Sequence, residues 1–159
     1  MSDVINMVYC HKQPFQLDHI INHSDYTFKT TLKSDLLPLA LLHSNGFNVP
    51  LTFSIDEIEA IIDTDTMSLY KLIDKDEKII GMLSCELKNN KCHISNLVID
   101  PKKQSSGLGK LLIKKFLNQL VTQHNITKFV LNVLRSNNKA YHLYTSLGFN
   151  QNLSNTPLQ

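Results

Sequence analysis

The chain has 159 residues, of which 42% are hydrophobic and 19% charged, and it contains only 5 Gly and 5 Pro. This composition excludes disordered, collagen-like and linker-like chains. The length predicts one domain that buries enough surface to fold without disulfides or metal ions. With 16 basic and 14 acidic residues, the net charge of +2 is too balanced for a dedicated nucleic-acid binder, so we expect small-molecule or protein partners.

The cysteines indicate the redox compartment. Cys10, Cys85 and Cys92 are an odd number and have no CxxC spacing, so we expect free thiols in a reducing cytoplasm. The N-terminus has no basic segment followed by an apolar run, and no stretch approaches roughly 18 uninterrupted apolar residues. We therefore expect neither a targeting segment nor a membrane span.

The N-terminal residues 1–25 give the weakest pattern. Val4, Met7 and Val8 suggest an N-terminal arm or an extra strand. We expect the main domain to cover residues 26–159.

A strand and two helices are predicted at the start of this domain. Residues 26–32 alternate and are rich in β-formers, which predicts a strand. Ser34 and Asp35 can cap a helix that ends at residues 45–46. Ser54 and Glu57 have the spacing of a capping box and predict the start of a second helix.

The following segment changes to a strand period. Three strands are predicted over residues 68–73, 78–87 and 91–100, joined by two hairpins. An amphipathic helix over 107–123, a buried strand over 129–134 and a helix over 137–147, which Gly148 ends, complete the pattern. The predicted order is β-α-α-β-β-β-α-β-α, an α/β (α+β) fold with a mixed, mostly antiparallel sheet flanked by helices.

The segment 97–110 leads from a buried strand through a polar loop into a long helix. Gly107 and Gly109 lack the Cβ that would block a ligand, and the free N–H groups of a first helical turn favour a phosphate. Three lysines would add positive charge: Lys102, Lys103 and Lys110. The glycine spacing fits neither GxxxxGK(S/T) nor GxGxxG, which argues against ATP, GTP and dinucleotide sites. An unrelated nucleotide-binding protein is a further interpretation that rests on this loop alone.

Two motifs in this half of the chain resemble one family. Residues 104–109, Gln-Ser-Ser-Gly-Leu-Gly, fit the (Q/R)xxGx(G/A) signature of the GNAT superfamily of N-acetyltransferases. Residues 137–149 resemble the closing NxxAxxLYxxxGF segment of the same family. The resemblance covers roughly residues 79–149, and the element order suits a GNAT-like fold back to about Tyr26.

The resemblance implies acetyl-CoA as co-substrate. The strand at 97–99 would diverge from the strand at 129–134 and pair with the pantetheine arm, while residues 104–109 would hold the pyrophosphate. Asn137 would hydrogen-bond the pantetheine, or act as a helix cap, and these two roles are compatible. The expected CoA-binding residues are Leu97, Val98, Ile99, Gln104, Ser105, Ser106, Gly107, Leu108, Gly109, Lys110, Asn137 and Tyr144.

The chemistry expected from the resemblance is direct attack of an amine on the thioester. Tyr144 would face the CoA sulfur and protonate the departing thiolate, or it is a core aromatic residue. The backbone N–H of Val98 or Ile99 is a candidate oxyanion donor.

The general base is the position where the chain departs from the family. Ser95 and Asn96 stand where family members often place a glutamate, and either could order a water instead. His93 and Glu86 are candidate bases, or residues of a strand surface.

The predicted function is an acetyl-CoA-dependent N-acetyltransferase acting on a protein N-terminus, a lysine or a small-molecule amine. The alternative is a catalytically silent acyl-CoA-binding module.

An apolar acceptor wall, or core, is suggested by Leu41, Leu42, Phe47, Leu51 and Phe53. His19 and His23 have a helical metal-ligand spacing but no further ligand, so we expect no metal. The acceptor and the oligomeric state do not follow from the sequence.

Overall fold

The computed structural model describes residues 3–11, 13–17, 23–104 and 107–152. The strands are β1 (Val4–Cys10), β2 (Thr27–Thr30), β3 (Met67–Ile73), β4 (Ile79–Lys88), β5 (Lys91–Ile99), β6 (Lys128–Leu134) and β7 (Asn150–Gln151). The helices are α1 (Leu36–Phe47), α2 (Leu51–Ile62), α3 (Leu108–His124) and α4 (Asn138–Ser146). Short 3-10 turns cover His23–Asp25, Lys33–Asp35 and Pro101–Lys103.

All seven strands belong to one sheet with the order β2-β3-β4-β5-β6-β1-β7. The β5 and β6 strands pair in parallel, and the other neighbours pair antiparallel. From β2 to α4 this confirms the predicted order and the mixed, mostly antiparallel sheet. β1 pairs with β6 over its whole length, so residues 4–10 lie inside the sheet of the main domain.

Helices cover both faces of the sheet. The amphipathic α3 buries Leu111, Leu112 and Phe116 with α4 on one face, in what we call the main core. On the other face α1 and α2 bury Leu39 and Ile58 against the sheet, in the second core. Each fully buried side chain of this kind stabilises the fold by about 1.5–3 kcal/mol. None of the helices in the described part of the chain has both the length and the apolar character needed to cross a membrane.

The ends of α1 and α2 differ from the prediction. α1 does not end at residues 45–46 but continues to Phe47, and Asn48 ends it with a φ of 55°. α2 begins at Leu51, directly after Pro50, which has an extended backbone. The predicted capping box is therefore wrong: Ser54 lies inside α2, fully buried, and its hydroxyl contacts the Nδ1 atom of His43 at 2.8 Å.

Gly46 lies inside α1, where the helix packs closely against β5. A Cβ at this position would overlap the side chain of Val98 on β5. Only a residue without a side chain lets α1 approach β5 this closely. The wall of α1 that faces β5 therefore depends on Gly46.

The Gly46→Ala substitution tests this contact. We expect it to lower the free energy of unfolding by about 1–3 kcal/mol, because Val98 or α1 must shift. The matched control is Gly109→Ala in α3, where a Cβ would find its nearest atom at an ordinary 3.6 Å, in Leu143. Urea unfolding measures both variants, and an equal effect of the two would contradict the packing role.

Candidate active site

A cavity opens where β5 leaves β6. Their parallel pairing runs from Lys91 opposite Lys128 to Ile94 opposite Leu131, and no further pair joins these two strands in the part of the chain that the structure describes. The gap widens into a cavity of about 500 Å³. Its lining residues are Gly46, Phe47, Leu97, Val98, Ile99, Gln104, Gly107, Leu108, Gly109, Lys110, Asn137, Lys139, Ala140 and Leu143. Most of the predicted CoA-binding residues are therefore brought together at one place.

A β-bulge shapes the β5 wall of this cavity. Ser95 pairs with Ser84 on β4 and Val98 pairs with Met82, so two residues of β5 lie between these pairs and only one of β4. Asn96, the first residue of the bulge, has a φ of 53°, a conformation that Asn tolerates better than most residues. The bulge sits beside the point where β5 leaves β6.

The start of α3 forms the opposite wall. Gly107 precedes the helix with a φ of 83° and provides no side chain to cap the first-turn N–H groups. A Cβ on Gly107 would have no neighbour within 4 Å, so the backbone faces open space. In the described part of the chain no side chain caps the amides of Leu108, Gly109 and Lys110, so an anion can approach them.

The loop before α3 is tied to the end of β5. The Gln104 side chain donates from Nε2 to the carbonyl oxygen of Ile99 at 3.2 Å. Ser105 and Ser106 lie outside the described residues, and their roles stay predictions. Lys110 and Lys139 line the cavity.

Asn137 fulfils the helix-cap expectation at the cavity edge. Its Oδ1 accepts a hydrogen bond from the backbone N–H of Ala140 at 3.1 Å and so caps α4. Asn137 also lines the cavity, so its cap role leaves it next to the space where a ligand would lie.

Tyr144 occupies a more buried position. It follows Leu143 but is not a lining residue, and it is 8% exposed in the main core, with its ring 5.7 Å from that of Phe149. Burial raises the pKa of Tyr144 to about 12. The phenol therefore keeps its proton at neutral pH, and its position is that of a core aromatic residue beside the cavity.

His93 and Glu86, the predicted candidate bases, lie opposite each other on β5 and β4. Neither lines the cavity. His93 precedes Leu97 by four residues, roughly 13 Å along a strand. Thr66 donates a hydrogen bond to Glu86 Oε2 at 3.0 Å. The structure does not bring this pair to the cavity, and its role as a base stays a prediction.

His43 is a further residue near the site that the sequence did not predict. It is 3% exposed on α1, one turn before the lining residues Gly46 and Phe47, and its ring lies 4.7 Å from that of Phe47. Burial lowers the pKa of His43, while a hydrogen bond with the Asn96 side chain and the charge of Glu57 act in the opposite direction. In the sequence, His43 precedes Gly46 by three residues and Phe47 by four, a spacing that places residues on one face of a helix.

Metal ligands do not cluster in the part of the chain that is described: no three His, Cys, Asp or Glu side chains come together there. His19 and the side chain of His23 lie outside it.

A family model matches the chain over residues 40–149, with the description Acetyltransferase (GNAT) family. This segment holds most of α1, all of α2, α3 and α4, the bulge and the lining residues of the cavity given above. The chain belongs to the GNAT acetyltransferase family.

Two curated relatives show the range of similarity. A ribosomal protein bS18-alanine N-acetyltransferase of Haemophilus ducreyi is 36% identical over 75 residues, which are 47% of this chain and 51% of the relative. The chain thus spans about half the length of this relative. A spermidine N(1)-acetyltransferase of Vibrio cholerae is 27% identical over 139 residues, 80% of each chain.

Solved structures share the fold. The ribosomal-protein-S18-alanine N-acetyltransferase of Escherichia coli has a TM-score of 0.70 at 22% identity, covering 79% of this chain and 77% of that one. The spermidine N-acetyltransferase of Vibrio cholerae in complex with CoA and spermine has a TM-score of 0.66 at 24% identity, covering 79% and 80%.

Proposed function

We propose that this chain is an acetyl-CoA-dependent N-acetyltransferase. The observation that carries the proposal is the cavity in which the unpaired edge of β5 faces the uncapped start of α3. An extended, amide-bearing chain that ends in phosphates fits both walls, because the strand edge pairs with amides and the helix start binds phosphate. Free cysteines at Cys10, Cys85 and Cys92 support a reducing compartment, and we place the reaction in the cytoplasm.

The residues around the cavity carry the chemical groups that CoA needs as partners. The backbone amides at 108–110, with the predicted Ser105 and Ser106, would hold the pyrophosphate, and Lys110 and Lys139 would balance its charge. The edge of β5 at Leu97, Val98 and Ile99 would pair with the pantetheine amides, with Asn137 on the other side.

Acetyl-CoA would supply a thioester. The nitrogen lone pair of the neutral acceptor amine forms the new C–N bond at the carbonyl carbon, the C–S bond breaks, and the amine gives its proton to solvent as the thiolate leaves. A backbone N–H of β5 would stabilise the oxyanion. With a pKa of about 12, Tyr144 is a weaker acid than a thiol, whose ordinary value is about 8.5. We therefore propose that Tyr144 donates a hydrogen bond to the sulfur and that the thiolate takes its proton from solvent.

The acceptor we propose is a peptide N-terminus. Large apolar side chains of α1 and α2 lie exposed: Phe47, which lines the cavity, is 46% exposed, Leu41 43% and Phe53 52%. These side chains suit an amine with an apolar neighbour better than a polyamine with a charge at each end. One relative is named for a ribosomal protein alanine and another for spermidine, so both classes belong in the test.

Ligand binding tests the proposed function directly. Acetyl-CoA and CoA should raise the melting temperature, since a ligand at 100 times its Kd adds about 2.7 kcal/mol to the folded state. ATP and NAD should have no such effect. A shift with ATP or NAD alone would support the unrelated nucleotide-binding protein instead.

A thiol-release assay with acetyl-CoA then compares a peptide with an N-terminal alanine, a lysine peptide and spermidine. We expect turnover with the first. Binding of CoA without turnover of any acceptor would support the silent acyl-CoA-binding module.

The phosphate position is tested by a matched pair at Gly107. Both Asp and Asn tolerate its positive φ, so Gly107→Asp and Gly107→Asn differ mainly in charge. We expect Gly107→Asp to weaken CoA binding about 100-fold by placing a carboxylate against the pyrophosphate, and Gly107→Asn to weaken it less than about tenfold. Calorimetry measures both Kd values. Equal affinities would remove the pyrophosphate from this position.

The role of Tyr144 is tested by Tyr144→Phe, which keeps the ring and removes the hydroxyl. We expect CoA affinity to stay within about twofold and kcat to fall about 100-fold, the lower range for such a donor. Steady-state kinetics with the alanyl peptide provides both values. An unchanged kcat would make Tyr144 a core residue only.

A further inference from the structure

A chain of polar side chains crosses the second core and ends at the β5 bulge. His43 Nδ1 lies 2.8 Å from the Ser54 hydroxyl, and the Asn96 side chain interacts with the His43 ring and raises its pKa. Asn96 Nδ2 donates to Ser84 Oγ at 3.0 Å. Ser84 Oγ in turn donates to the carbonyl oxygen of Ser95 at 3.1 Å. We call this set the His43 network.

The His43 network is polar, whereas the side chains around it are apolar. Leu39, Ile58 and Met82 are fully buried beside it, and Ser54 and Ser84 are fully buried as well. Burying polar groups among such residues costs free energy unless every group finds a partner, and a fully satisfied network then enforces one geometry. An apolar set of the same volume would fill this space equally well, so the network calls for a role other than packing.

The geometry that the network enforces is that of the bulge. Both Ser95 and Asn96 belong to it, and Asn96 has a φ of 53°. The next residue, Leu97, begins the β5 wall of the cavity. The network therefore connects α1 and α2 to the backbone that turns towards the cavity.

We propose that His43 is a positioning residue for the acetyl thioester: through Asn96 it holds the β5 bulge, and with it the backbone at Leu97 and Val98 that receives the acetyl group. This proposal rests on the proposed binding of acetyl-CoA in the cavity. It separates the acetyl end of the ligand, which depends on His43, from the phosphate end, which depends on Gly107.

The protonation state of His43 gives the role a pH dependence. Burial lowers the pKa of His43 below the ordinary histidine value, so the ring is neutral at neutral pH and gains a proton only in more acidic solution. Glu57 of α2 is the charged side chain that favours the protonated ring, and the sheet contributes the uncharged Ser84, Ser95 and Asn96. Protonation would bring a charge into the second core and change the hydrogen bond to Asn96.

Three variants test the role without knowledge of the acceptor. His43→Leu removes the ring's hydrogen bonds, and Asn96→Gly removes the amide but allows the positive φ. His43→Gln keeps a side chain that can hydrogen-bond Asn96 but does not titrate. His124→Gln is the control, since His124 is exposed at the far end of α3.

Calorimetry with acetyl-CoA and with CoA gives the ratio of their Kd values. At about pH 7.5 we expect His43→Leu and Asn96→Gly to weaken acetyl-CoA relative to CoA by about fivefold, the effect of one hydrogen bond, and the double variant to add nothing further. CoA itself should bind within about twofold of the unmodified chain. His43→Gln should restore the ratio.

The pH dependence of the Kd ratio distinguishes a positioning role of His43 from a packing role. At an acidic pH below the lowered pKa of His43, the ratio of the unmodified chain and of His124→Gln should move towards that of His43→Leu, while His43→Gln stays constant. If His43→Leu does not melt cooperatively, Asn96→Gly and His43→Gln carry the same comparison.

The outcomes keep the two proposals apart. If the unmodified chain binds neither acetyl-CoA nor CoA, the proposed function fails. If both ligands bind and the ratio is the same in Asn96→Gly as in the unmodified chain at both pH values, the role of His43 is overturned while the proposed function stands. A pH response that persists in His43→Gln also overturns it.

Discussion

The separation of β5 from β6 beyond Ile94 is the constraint on which the rest of the structure depends. A strand edge carries backbone N–H and C=O groups that need partners, and in a sheet the neighbouring strand supplies them. Here the neighbour turns away while β5 stays paired with β4 on its other side. The open edge lies in a cavity, between α1, α3 and α4, and not on an exposed rim. The fold therefore keeps a short length of unpaired strand protected and available for a ligand of extended shape.

The two walls of this cavity have opposite physical character, and each comes from a different part of the sequence. The α3 wall exposes its backbone, because Gly107 and Gly109 carry no side chain, and Lys110 adds a positive charge beside it. The β5 wall is built by side chains that lie behind it, in the His43 network. A glycine loop is local in sequence and shows itself as a motif, whereas the network joins residues 43, 54, 84 and 96, which come from four separate elements.

That difference explains how much the sequence could predict. Hydrophobic periodicity and turn residues are sufficient for the elements from β2 to α4, and the glycine loop and Asn137 are recognisable as motifs, because each signal lies within about fifteen residues. Ser54 was misinterpreted as a cap, since the local pattern of Ser54 and Glu57 is the same whether the hydroxyl serves a helix start or a distant histidine. Gly46 was read as a helix end for a similar reason: its close approach to Val98 is a contact between distant residues. His43 lies one helical turn before Gly46 and Phe47 in the sequence, but only the folded chain brings it to Asn96.

The bulge also explains how the single strand β5 contributes side chains to both cores. In a regular strand, residues that are an even number apart face the same side of the sheet. Ile94 faces the main core, yet Val98, four residues later, faces the second core, and Ile99 returns to the main one. The extra residue at Asn96 and Leu97 changes this parity, so a single strand can bury Ile94 under α3 and Val98 under α1. Without the extra residue Val98 would point to the α3 side, Gly46 would have no partner to pack against, and α1 would lose its contact with the cavity. The polar pair Ser95 and Asn96, which lies between the buried Ile94 and Val98, is therefore what joins the packing of the fold to the shape of its site.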